Sequence, residues 1–303
     1  MVTIRTGSAS VQANKMRLLV FGKTGQLASE LQDLCSASEH EAVFLDSSQA
    51  DLTNPSVCAQ VIADCTADIV INAAAYTAVD QAEDELPIAQ LINATSPTEM
   101  AREAARRKIP FLHISTDYVF DGTAEASSVE DDQPNPQGVY GRTKLAGEAG
   151  VAACGGDHVI LRTAWVFSSF GANFVKTMRR LAGEHDALKV VNDQRGGPTP
   201  ARDVAATLLK IAEAFTRGAG VSGIYHYCGA PSVSWAQFAN AIFADQPAAP
   251  RVTGIPSSEY PTRAKRPMNS TLNCTKIYET YNIKQPDWHA GLREVLDKLE
   301  AEI

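Results

Sequence analysis

Short apolar runs alternate with helix-forming segments along the chain, and this alternation constrains the fold more than any other feature of the sequence. The intervening segments 93–107 and 144–153 are rich in alanine, glutamate and arginine, which favour helix. The apolar runs are MRLLVFG (16–22), AVFL (42–45), DIVINAAA (68–75), IPFLHIS (109–115), HVILRTAWVF (158–167) and GIYHYCG (223–229). Strands that alternate with helices pair in parallel through crossovers, so the sequence predicts an α/β fold with a doubly wound parallel sheet.

The alternation weakens after Phe167. Proline and glycine cluster there at 196–200, 246–250 and 266–269, and such residues interrupt regular elements. We therefore expect a smaller C-terminal lobe beside the sheet. Residues 1–15 lack the apolar stretch of a secretory signal, and we predict that they are a disordered extension or a non-native remnant.

The composition of the chain argues against several classes of partner. With 27 basic and 35 acidic side chains the net charge is -8, which disfavours nucleic acid unless a basic face is segregated, and the sequence shows no such face. It also contains no run of about 18 apolar residues for a membrane span. The six cysteines form no C-x-x-C pair and have no histidine at metal-ligand spacing. We expect free thiols and a cytoplasmic protein.

A glycine-containing loop, Gly22-Lys23-Thr24-Gly25-Gln26-Leu27-Ala28, follows the first predicted strand. Glycine lets the backbone turn sharply and approach a pyrophosphate, whose charge then meets the N–H groups at the start of the next helix. The strand before the loop and the amphipathic helix after it are the setting that this function requires. The loop predicts a Rossmann-type dinucleotide site, with a purely structural turn as the alternative.

The choice of dinucleotide depends on Asp46, which ends the second predicted strand. An acidic side chain there accepts hydrogen bonds from an adenosine ribose and repels a 2'-phosphate, which favours NADH over NADPH. Lys23 and the pair Ser47-Ser48 weaken this preference, because a lysine in the loop could reach an extra phosphate. We expect NADH or NADPH, with NADH favoured.

Tyr140 and Lys144 form the only Y-x-x-x-K among the eight tyrosines. Helical residues at this spacing lie on one face, so the ammonium can lie beside the phenol or beside a group that both contact. A nearby cation favours the phenolate, which brings the tyrosine pKa closer to neutrality. The pair predicts a proton donor for a carbonyl, with a coincidence on the surface as the alternative.

Seven segments together with this loop and pair resemble the extended short-chain dehydrogenase/reductases, and within that superfamily the dTDP-4-dehydrorhamnose reductase family. They are GKTGQL (22–27), NAAAYTAVDQAE (72–83), STDYVFDG (115–122), VYGRTKLAGE (139–148), LRTAWVF (161–167), NDQRGGPT (192–199) and RPMNSTLN (266–273). They occur in the expected order from Met16 almost to the C-terminus. The resemblance implies reduction of the C4 ketone of dTDP-4-dehydro-L-rhamnose to dTDP-L-rhamnose by hydride from NAD(P)H.

The resemblance also implies roles for individual residues. Tyr140 is the proton donor, Lys144 holds the nicotinamide ribose and lowers the pKa of Tyr140, and Thr116 hydrogen-bonds the sugar carbonyl. Further cofactor contacts are implied at Gly22, Thr24, Gly25, Gln26, Leu27, Asp46, Asp51, Leu52, Ala73, Ala74 and Ala75. Substrate contacts are implied at Thr116, Asp117, Tyr118, Tyr140, Trp165 and Arg266, with the turn from Gln194 to Thr199 closing the pocket.

We assign residues 16–170 to the NAD(P)-binding Rossmann domain, with segments near 200–230 returning to it, and residues 171–303 mostly to a substrate-binding lobe. Arg263, Lys265 and Arg266 could supply cations for the substrate pyrophosphate, with solvated loop charges as the alternative. Ala28 stands where the family usually has a third glycine, and its methyl group should still permit helix packing.

Some members of the family carry Mg²⁺ at a dimer contact through clustered glutamates. A homodimer is therefore one form that the resemblance implies, but the sequence shows no carboxylate cluster that argues for the metal.

The residue after Thr116-Asp117 separates reduction from dehydration. Sugar 4,6-dehydratases carry a glutamate there as the base, whereas this chain has Tyr118, and a phenol without its own cation does not readily take a proton at neutral pH. A reductase or epimerase of another nucleotide sugar remains an alternative. So does a non-catalytic regulatory subunit of the methionine adenosyltransferase type, although intact Thr116, Tyr140 and Lys144 favour chemistry.

Overall fold

The structure is a computed structural model that describes residues 15–246 and 249–301, so the predicted extension lies outside the described residues except for Lys15. The strands are β1 (Arg17–Phe21), β2 (Glu41–Leu45), β3 (Ile69–Asn72), β4 (Phe111–Thr116), β5 (His158–Thr163), β6 (Val166–Phe167), β7 (Ala187–Val191), β8 (Arg195–Gly196), β9 (Thr199–Pro200), β10 (Gly223–His226), β11 (Val233–Ser234) and β12 (Arg251–Ile255).

The helices are α1 (Gln26–Ser36), α2 (Pro55–Asp64), α3 (Val79–Ala82), α4 (Leu86–Gln90), α5 (Ser96–Arg106), α6 (Val139–Ala153), α7 (Phe174–Ala182), α8 (Ala201–Thr216), α9 (Trp235–Ile242), α10 (Thr275–Tyr281) and α11 (Trp288–Ala301). A π-helical turn, Leu91–Thr95, joins α4 to α5, and two short 3-10 segments lie at Asp117–Val119 and Ser257–Glu259. None of the described helices is long and apolar enough to cross a membrane.

Six strands form one parallel sheet in the order β10-β5-β4-β3-β1-β2, which confirms the predicted doubly wound Rossmann-type fold. All four residues of β3 are buried, as expected for a central strand covered on both faces. The chain leaves β1 toward β2 on one side and returns to β3 on the other. In such sheets ligands bind beyond the carboxyl ends of the strands at this switch point, which here lies beside Gly22 and Ala73.

Helices cover both faces of the sheet. On one face α1 and α8 bury Leu31 and Leu208 against strand residues such as Ile71. On the other face α2 and α5 bury Ile62 and Met100 against the opposite side chains of the same strands. This alternation of side chains is why the central strands read as continuous apolar runs in the sequence.

Three small two-stranded sheets, β6-β9, β7-β12 and β8-β11, lie outside the main sheet. They pack with α7, α9 and α11 around a core that includes Phe167, Phe238 and Trp288. Neither β7 nor β12 was predicted from the sequence. Buried residues alternate with more exposed ones along β7, so it forms no continuous apolar run, and β12 is mostly exposed.

Two element boundaries differ from those expected. The helix predicted at 144–153 begins at Val139, which places Tyr140 in its first turn. The apolar run 158–167 is interrupted at Trp165, whose φ of 49° lies in the left-handed region and separates β5 from β6.

Candidate active site

The glycine loop adopts the conformation that close approach of a ligand requires. Gly22 has a φ of 106°, and its N–H donates to the Leu45 carbonyl at 2.9 Å, which ties the loop to the end of β2. This backbone conformation favours glycine. The Gln32 amide nitrogen, on α1, donates to the Lys23 carbonyl at 2.7 Å and holds the loop in place.

Three observations fit this loop to a bound dinucleotide, the first two of them to its phosphates. The N-terminus of α1 carries no side-chain cap, so the orphan N–H groups of its first turn have no side-chain partner there. A Cβ added at Gly25 would meet no atom within 4 Å, which leaves open space in front of the helix. The Gln26 side-chain oxygen is buried and has no hydrogen-bond partner among the described residues; as an acceptor it suits a hydroxyl or N–H of a ligand and not a phosphate oxygen.

Asp46 lies at the end of β2 and is already engaged by its neighbours. One carboxylate oxygen accepts hydrogen bonds from Ser48 N at 3.0 Å and Ser48 Oγ at 2.5 Å, and the other lies 3.4 Å from Lys23 Nζ. The Ser48 hydrogen bond first, and Lys23 with it, hold the pKa of Asp46 below its usual value. Asp46 and Lys23, which the sequence predicts to influence cofactor choice in opposite directions, therefore form a pair.

The other predicted cofactor residues lie around the same edge of the sheet. Ala73 N donates to Phe21 O at 2.9 Å, so the chain leaving β3 runs beside the glycine loop. A Cβ at Gly22 would lie 3.4 Å from the Ala73 carbonyl carbon and from Ala74 N. The remaining residues differ in exposure: Thr24 and Asp51 are exposed, Leu27 and Ala75 are half-buried, and Leu52 and Ala28 are buried.

Thr116, Asp117 and Tyr118 lie together where β4 ends. The Thr116 hydroxyl donates to Asp117 Oδ1 at 3.1 Å and accepts from Tyr118 N at 3.2 Å. Asp117 is buried, and its Oδ2 has no hydrogen-bond partner in the described part of the chain. Burial raises the pKa of Asp117 to about 6, although the hydroxyls of Ser270 and Thr116 lower it.

Tyr140 reaches this cluster from the first turn of α6. Its ring meets that of Tyr118 edge-on, with the centroids 5.5 Å apart and the planes at 78°. Burial raises the pKa of Tyr140 to about 12, while a hydrogen bond with Thr116 lowers it and Asp117 raises it. The structure thus brings Thr116, Asp117, Tyr118 and Tyr140 together, as the sequence predicts.

The pKa of Tyr140 responds here to burial, Thr116 and Asp117, and the expected effect of Lys144 on it stays a prediction. Lys144 Nζ donates to the Ile114 carbonyl at 2.6 Å and lies 3.5 Å from His113 Nε2, so the amine is engaged with β4. Burial lowers the pKa of Lys144 to about 8, although Glu148 raises it. Lys144 therefore loses its proton more readily than an ordinary lysine, although it is still mostly charged at neutral pH.

Trp165 lies on the C-terminal side of the site. Its indole stacks on that of Trp235 with the centroids 3.5 Å apart. A Cβ at Gly196 would lie 2.4 Å from Trp165 Cε2, so this glycine leaves the space that the indole occupies. Two hydrogen bonds hold the turn from Gln194 to Thr199. Thr199 N donates to Trp165 O at 3.0 Å, and Gln194 Nε2 donates to Ser257 Oγ at 2.9 Å.

Arg266 is a half-buried cation beside Tyr118. Its guanidinium donates to both carboxylate oxygens of Asp80, at 3.1 and 2.7 Å, and Asp80 and Tyr118 both raise its pKa. Arg263 pairs with Asp84, and Lys265 Nζ donates to Gln137 at 3.1 Å, so these two cations have exposed partners of their own.

Asp80, the partner of Arg266, was not among the predicted site residues, although it lies within the 72–83 motif.

A set of buried polar side chains behind the site was also missed. Asn72 and His113 lie within apolar strands, Asn93 occupies the π-helical turn, and Glu148 follows Lys144 by one turn of α6. Polar residues inside otherwise apolar runs were the available signal, because buried polar groups need partners. Across residues 15–246 and 249–301, no group of three or more His, Cys, Asp or Glu side chains could hold a metal ion.

Comparison with known proteins agrees with this geometry. The family described as the RmlD substrate binding domain matches residues 16–301. The dTDP-4-dehydrorhamnose reductase of Aggregatibacter actinomycetemcomitans is 43% identical over 287 residues, which cover 92% of this chain and 98% of that protein.

Two solved structures are also similar. The dTDP-4-dehydrorhamnose reductase of Clostridium acetobutylicum is 37% identical and superposes with a TM-score of 0.88, covering 94% of this chain and 100% of that one. The enzyme from Bacillus anthracis, solved in complex with NADP, is 33% identical with the same TM-score and coverage. With its motifs, fold and site geometry in agreement, the chain belongs to the dTDP-4-dehydrorhamnose reductase family.

Proposed function

We propose that the protein reduces the C4 ketone of dTDP-4-dehydro-L-rhamnose to dTDP-L-rhamnose, with NADPH or NADH as the reductant. The observation that carries this proposal is the convergence of Thr116 and Tyr140 at the carboxyl edge of the sheet, beside a glycine loop suited to a dinucleotide. Reduction of a ketone needs both a reductant above the sheet and a proton for the oxygen, and these two features serve those needs.

The cofactor residues follow from the loop and the strand ends. When bound, the nicotinamide supplies hydride. Gly22 and the first turn of α1 would hold the pyrophosphate, Asp46 and Lys23 would lie at the adenosine ribose, and Ala73–Ala75 would support the cofactor from below. The B. anthracis relative binds NADP, whereas Asp46 favours NADH here, so the preference for NADH stays a prediction.

Tyr140 carries the proton that the ketone oxygen takes up. With a pKa of about 12, Tyr140 is fully protonated at neutral pH, so its hydroxyl has a proton to donate without first taking one from solvent. The Thr116 hydroxyl, held between Asp117 and Tyr118 N, is placed to hydrogen-bond the same oxygen as negative charge develops on it. Together these groups favour reduction over dehydration, because Tyr118 offers no base.

We further propose a division of labour between the two parts of the chain. Residues 16–170, with 200–230, bind the cofactor, and residues 171–303 supply most of the substrate lobe. Trp165, Tyr118 and Arg266 would contact the sugar nucleotide, with Asp117 beneath the sugar. All six cysteines are free, which supports a reducing, cytoplasmic location.

A coupled assay tests the function. The purified protein is added to dTDP-glucose together with the upstream dehydratase and epimerase, with NADH or NADPH, and dTDP-rhamnose is measured by mass spectrometry. Reductant loss matched by dTDP-rhamnose is the expected result. Turnover of 4-keto UDP sugars alone would contradict our choice of substrate. Cofactor binding without turnover would instead favour a regulatory subunit.

A further inference from the structure

Three buried polar side chains form a row beneath the proposed active site. Asn72 at the end of β3, His113 on β4 and Lys144 on α6 are at most 2% exposed. Asn72 Nδ2 lies 3.1 Å from His113 Nδ1, and His113 Nε2 lies 3.5 Å from Lys144 Nζ. In such a row each group's hydrogen-bonding direction constrains that of the next.

The direction is set at Asn72. The N–H of Ala74 donates to Asn72 Oδ1 at 3.2 Å, and a backbone N–H can only meet an acceptor, so the amide nitrogen faces the histidine. That nitrogen donates to His113 Nδ1, which must therefore be the acceptor of the ring. A neutral imidazole has one N–H, so it lies on Nε2. Burial holds the pKa of His113 well below its usual value and keeps the ring neutral in either protonation state of Lys144, whose ammonium form lowers that pKa further.

The His113 Nε2–H consequently points at Lys144. An ammonium group has only N–H donors, so it cannot accept a hydrogen bond from this N–H. An uncharged amine has a lone pair that accepts it. The Ile114 carbonyl, 2.6 Å from Nζ, accepts one N–H in either state and does not discriminate between them. The row is fully hydrogen-bonded only when Lys144 is uncharged.

We propose that Asn72 and His113 are positioning residues that favour the uncharged form of Lys144 in the cofactor-free protein, so that Lys144 loses its proton at a lower pH than an ordinary lysine does. The consequence for catalysis rests on the proposed function, since it concerns the partner of Tyr140. Lys144 becomes a stronger acid than an ordinary lysine and exchanges its proton more readily, while a pKa of about 8 still leaves it mostly charged at neutral pH.

The other charged groups around Lys144 do not reverse this effect. Glu148, one turn further along α6, favours the ammonium. Both of its oxygens are occupied, because Arg162 on β5 donates to them at 2.9 and 2.7 Å and Ser115 on β4 donates to one. The guanidinium thus cancels much of the carboxylate's field at Lys144. Asp117, after β4, is the remaining acid of the cluster, and burial already raises its pKa.

The unmodified protein provides the first test, with no cofactor present. Long-range proton–nitrogen correlation spectra report the His113 tautomer, and the carbon NMR signal of Lys144 Cε reports its titration. His113→Gln and Lys144→Met assign the two signals. We expect an Nε2–H tautomer and a lysine midpoint at least about one pH unit below the ordinary value. A Nδ1–H tautomer or an ordinary midpoint would overturn the proposal.

Asn72→Asp provides the second test, because it reverses the direction of the row. The carboxylate accepts from His113 Nδ1–H, which leaves Nε2 as an acceptor for the ammonium. The Lys144 midpoint should rise by about one pH unit or more, with the Nδ1–H tautomer in the same sample. The basic limb of the kcat/KM profile should move with it. Asn54→Asp adds the same charge at an exposed position and should change neither signal.

An unchanged lysine midpoint in folded Asn72→Asp contradicts the proposal. If that variant does not fold, the tautomer and midpoint of the unmodified protein decide the question alone. Both NMR measurements are independent of turnover. A protein that shows the expected tautomer and midpoint but does not reduce the 4-keto sugar would refute the proposed function and leave this inference standing.

Discussion

At the scale of single residues, burial is the main cause of the pKa shifts in the site. It raises the pKa of Tyr140 to about 12 and that of Asp117 to about 6, and it lowers that of Lys144 to about 8. Each change favours the uncharged form of the group. At neutral pH Tyr140 therefore keeps its proton, whereas Asp117 is still mostly ionised and Lys144 still mostly protonated.

The proposed role of Tyr140 is tested by Tyr140→Phe. The variant keeps the ring and its edge-on contact with Tyr118 but has no proton to give. We expect kcat to fall by roughly 10²-fold or more, with cofactor affinity largely kept, in steady-state kinetics. Tyr278→Phe, at an exposed tyrosine on α10, is the matched control. Unchanged turnover in Tyr140→Phe would remove Tyr140 from its role.

Asp117 makes stability depend on pH. Its pKa in the folded protein, about 6, lies above the usual value, so the folded state binds more protons than the unfolded state between these two values. The contribution to the free energy of unfolding is fully present below the unfolded pKa and is lost as pH rises through the folded one. Asn at position 117 does not titrate, so the free energy of unfolding of Asp117→Asn minus that of the wild type should increase from acid to neutral pH. The increase should be at most about 3 kcal/mol, measured by urea titration at the two pH values.

Asp297→Asn, at an exposed position on α11, serves as the control for Asp117→Asn. A difference between Asp117→Asn and wild type that is the same at both pH values would show that Asp117 is not perturbed.

We predict that the pair of Asp46 and Lys23 decides the cofactor preference. We expect the wild-type protein to have a lower KM for NADH than for NADPH, because the carboxylate repels a 2'-phosphate. Asp46→Ala removes that repulsion and releases Lys23, whose ammonium lies 3.4 Å away. The ratio of the two KM values should shift roughly tenfold toward NADPH. Equal KM values in the wild-type protein would mean that Lys23 already compensates.

At the scale of elements, α6 matters most because it carries Tyr140, Lys144 and Glu148 on successive turns. Its position depends on the π-helical turn. Asn93 in that turn donates to Thr143 Oγ1 at 3.1 Å, and its own carbonyl lies 2.1 Å from where a Cβ at Gly147 would be. The two elements pack backbone to backbone at this point.

Gly147→Ala should therefore push α6 away from the π-helical turn. We expect a loss of about 1–3 kcal/mol in the free energy of unfolding, measured in urea, together with a lower kcat as Tyr140 moves. Gly183→Ala is the matched control, because its added Cβ meets only Arg180 O at an ordinary 3.5 Å. Equal stability of the two variants would show that the helix accommodates the methyl group without moving.

At the scale of the whole molecule, the ion pair of Asp80 and Arg266 connects α3 to the segment that follows β12. Asp80 also accepts from Ala264 N at 3.0 Å, so one carboxylate anchors both a backbone and a side chain of that segment. The connection holds Arg266 close enough to Tyr118 for the two side chains to affect each other's pKa. A forked arginine suits this geometry, and a lysine cannot reproduce it.

Arg266→Lys should loosen this connection. The KM for the sugar nucleotide should rise several-fold while the KM for the reductant stays unchanged, because only the substrate side of the site moves. Hydrogen exchange across 264–270 should increase in parallel. Arg217→Lys, at an exposed arginine paired with Glu213, is the control. A rise in both KM values would show that Arg266 supports the stability of the whole protein and not the substrate side of the site in particular.

Much of the fold was predictable because central parallel strands are buried on both faces. Runs such as DIVINAAA and IPFLHIS therefore stand out without any partner being known. β7, which exposes alternate residues, gave no such signal. At the site, Thr116 and Tyr140 belong to ordered motifs that could be identified in the sequence, whereas Asp80 and His113 act through partners far along the chain.

The order of strands and helices, the glycine loop and the Y-x-x-x-K were determined by local sequence, since each depends on neighbouring residues and their periodicity. Only the tertiary structure decided the protonation of the site. The spacing of Tyr140 and Lys144 predicts a cation that lowers the tyrosine pKa, but burial lowers the pKa of the lysine itself, and the lysine amine donates to the Ile114 carbonyl on β4. A pKa depends on desolvation and on every group within a few ångströms, and these are set by contacts between distant segments.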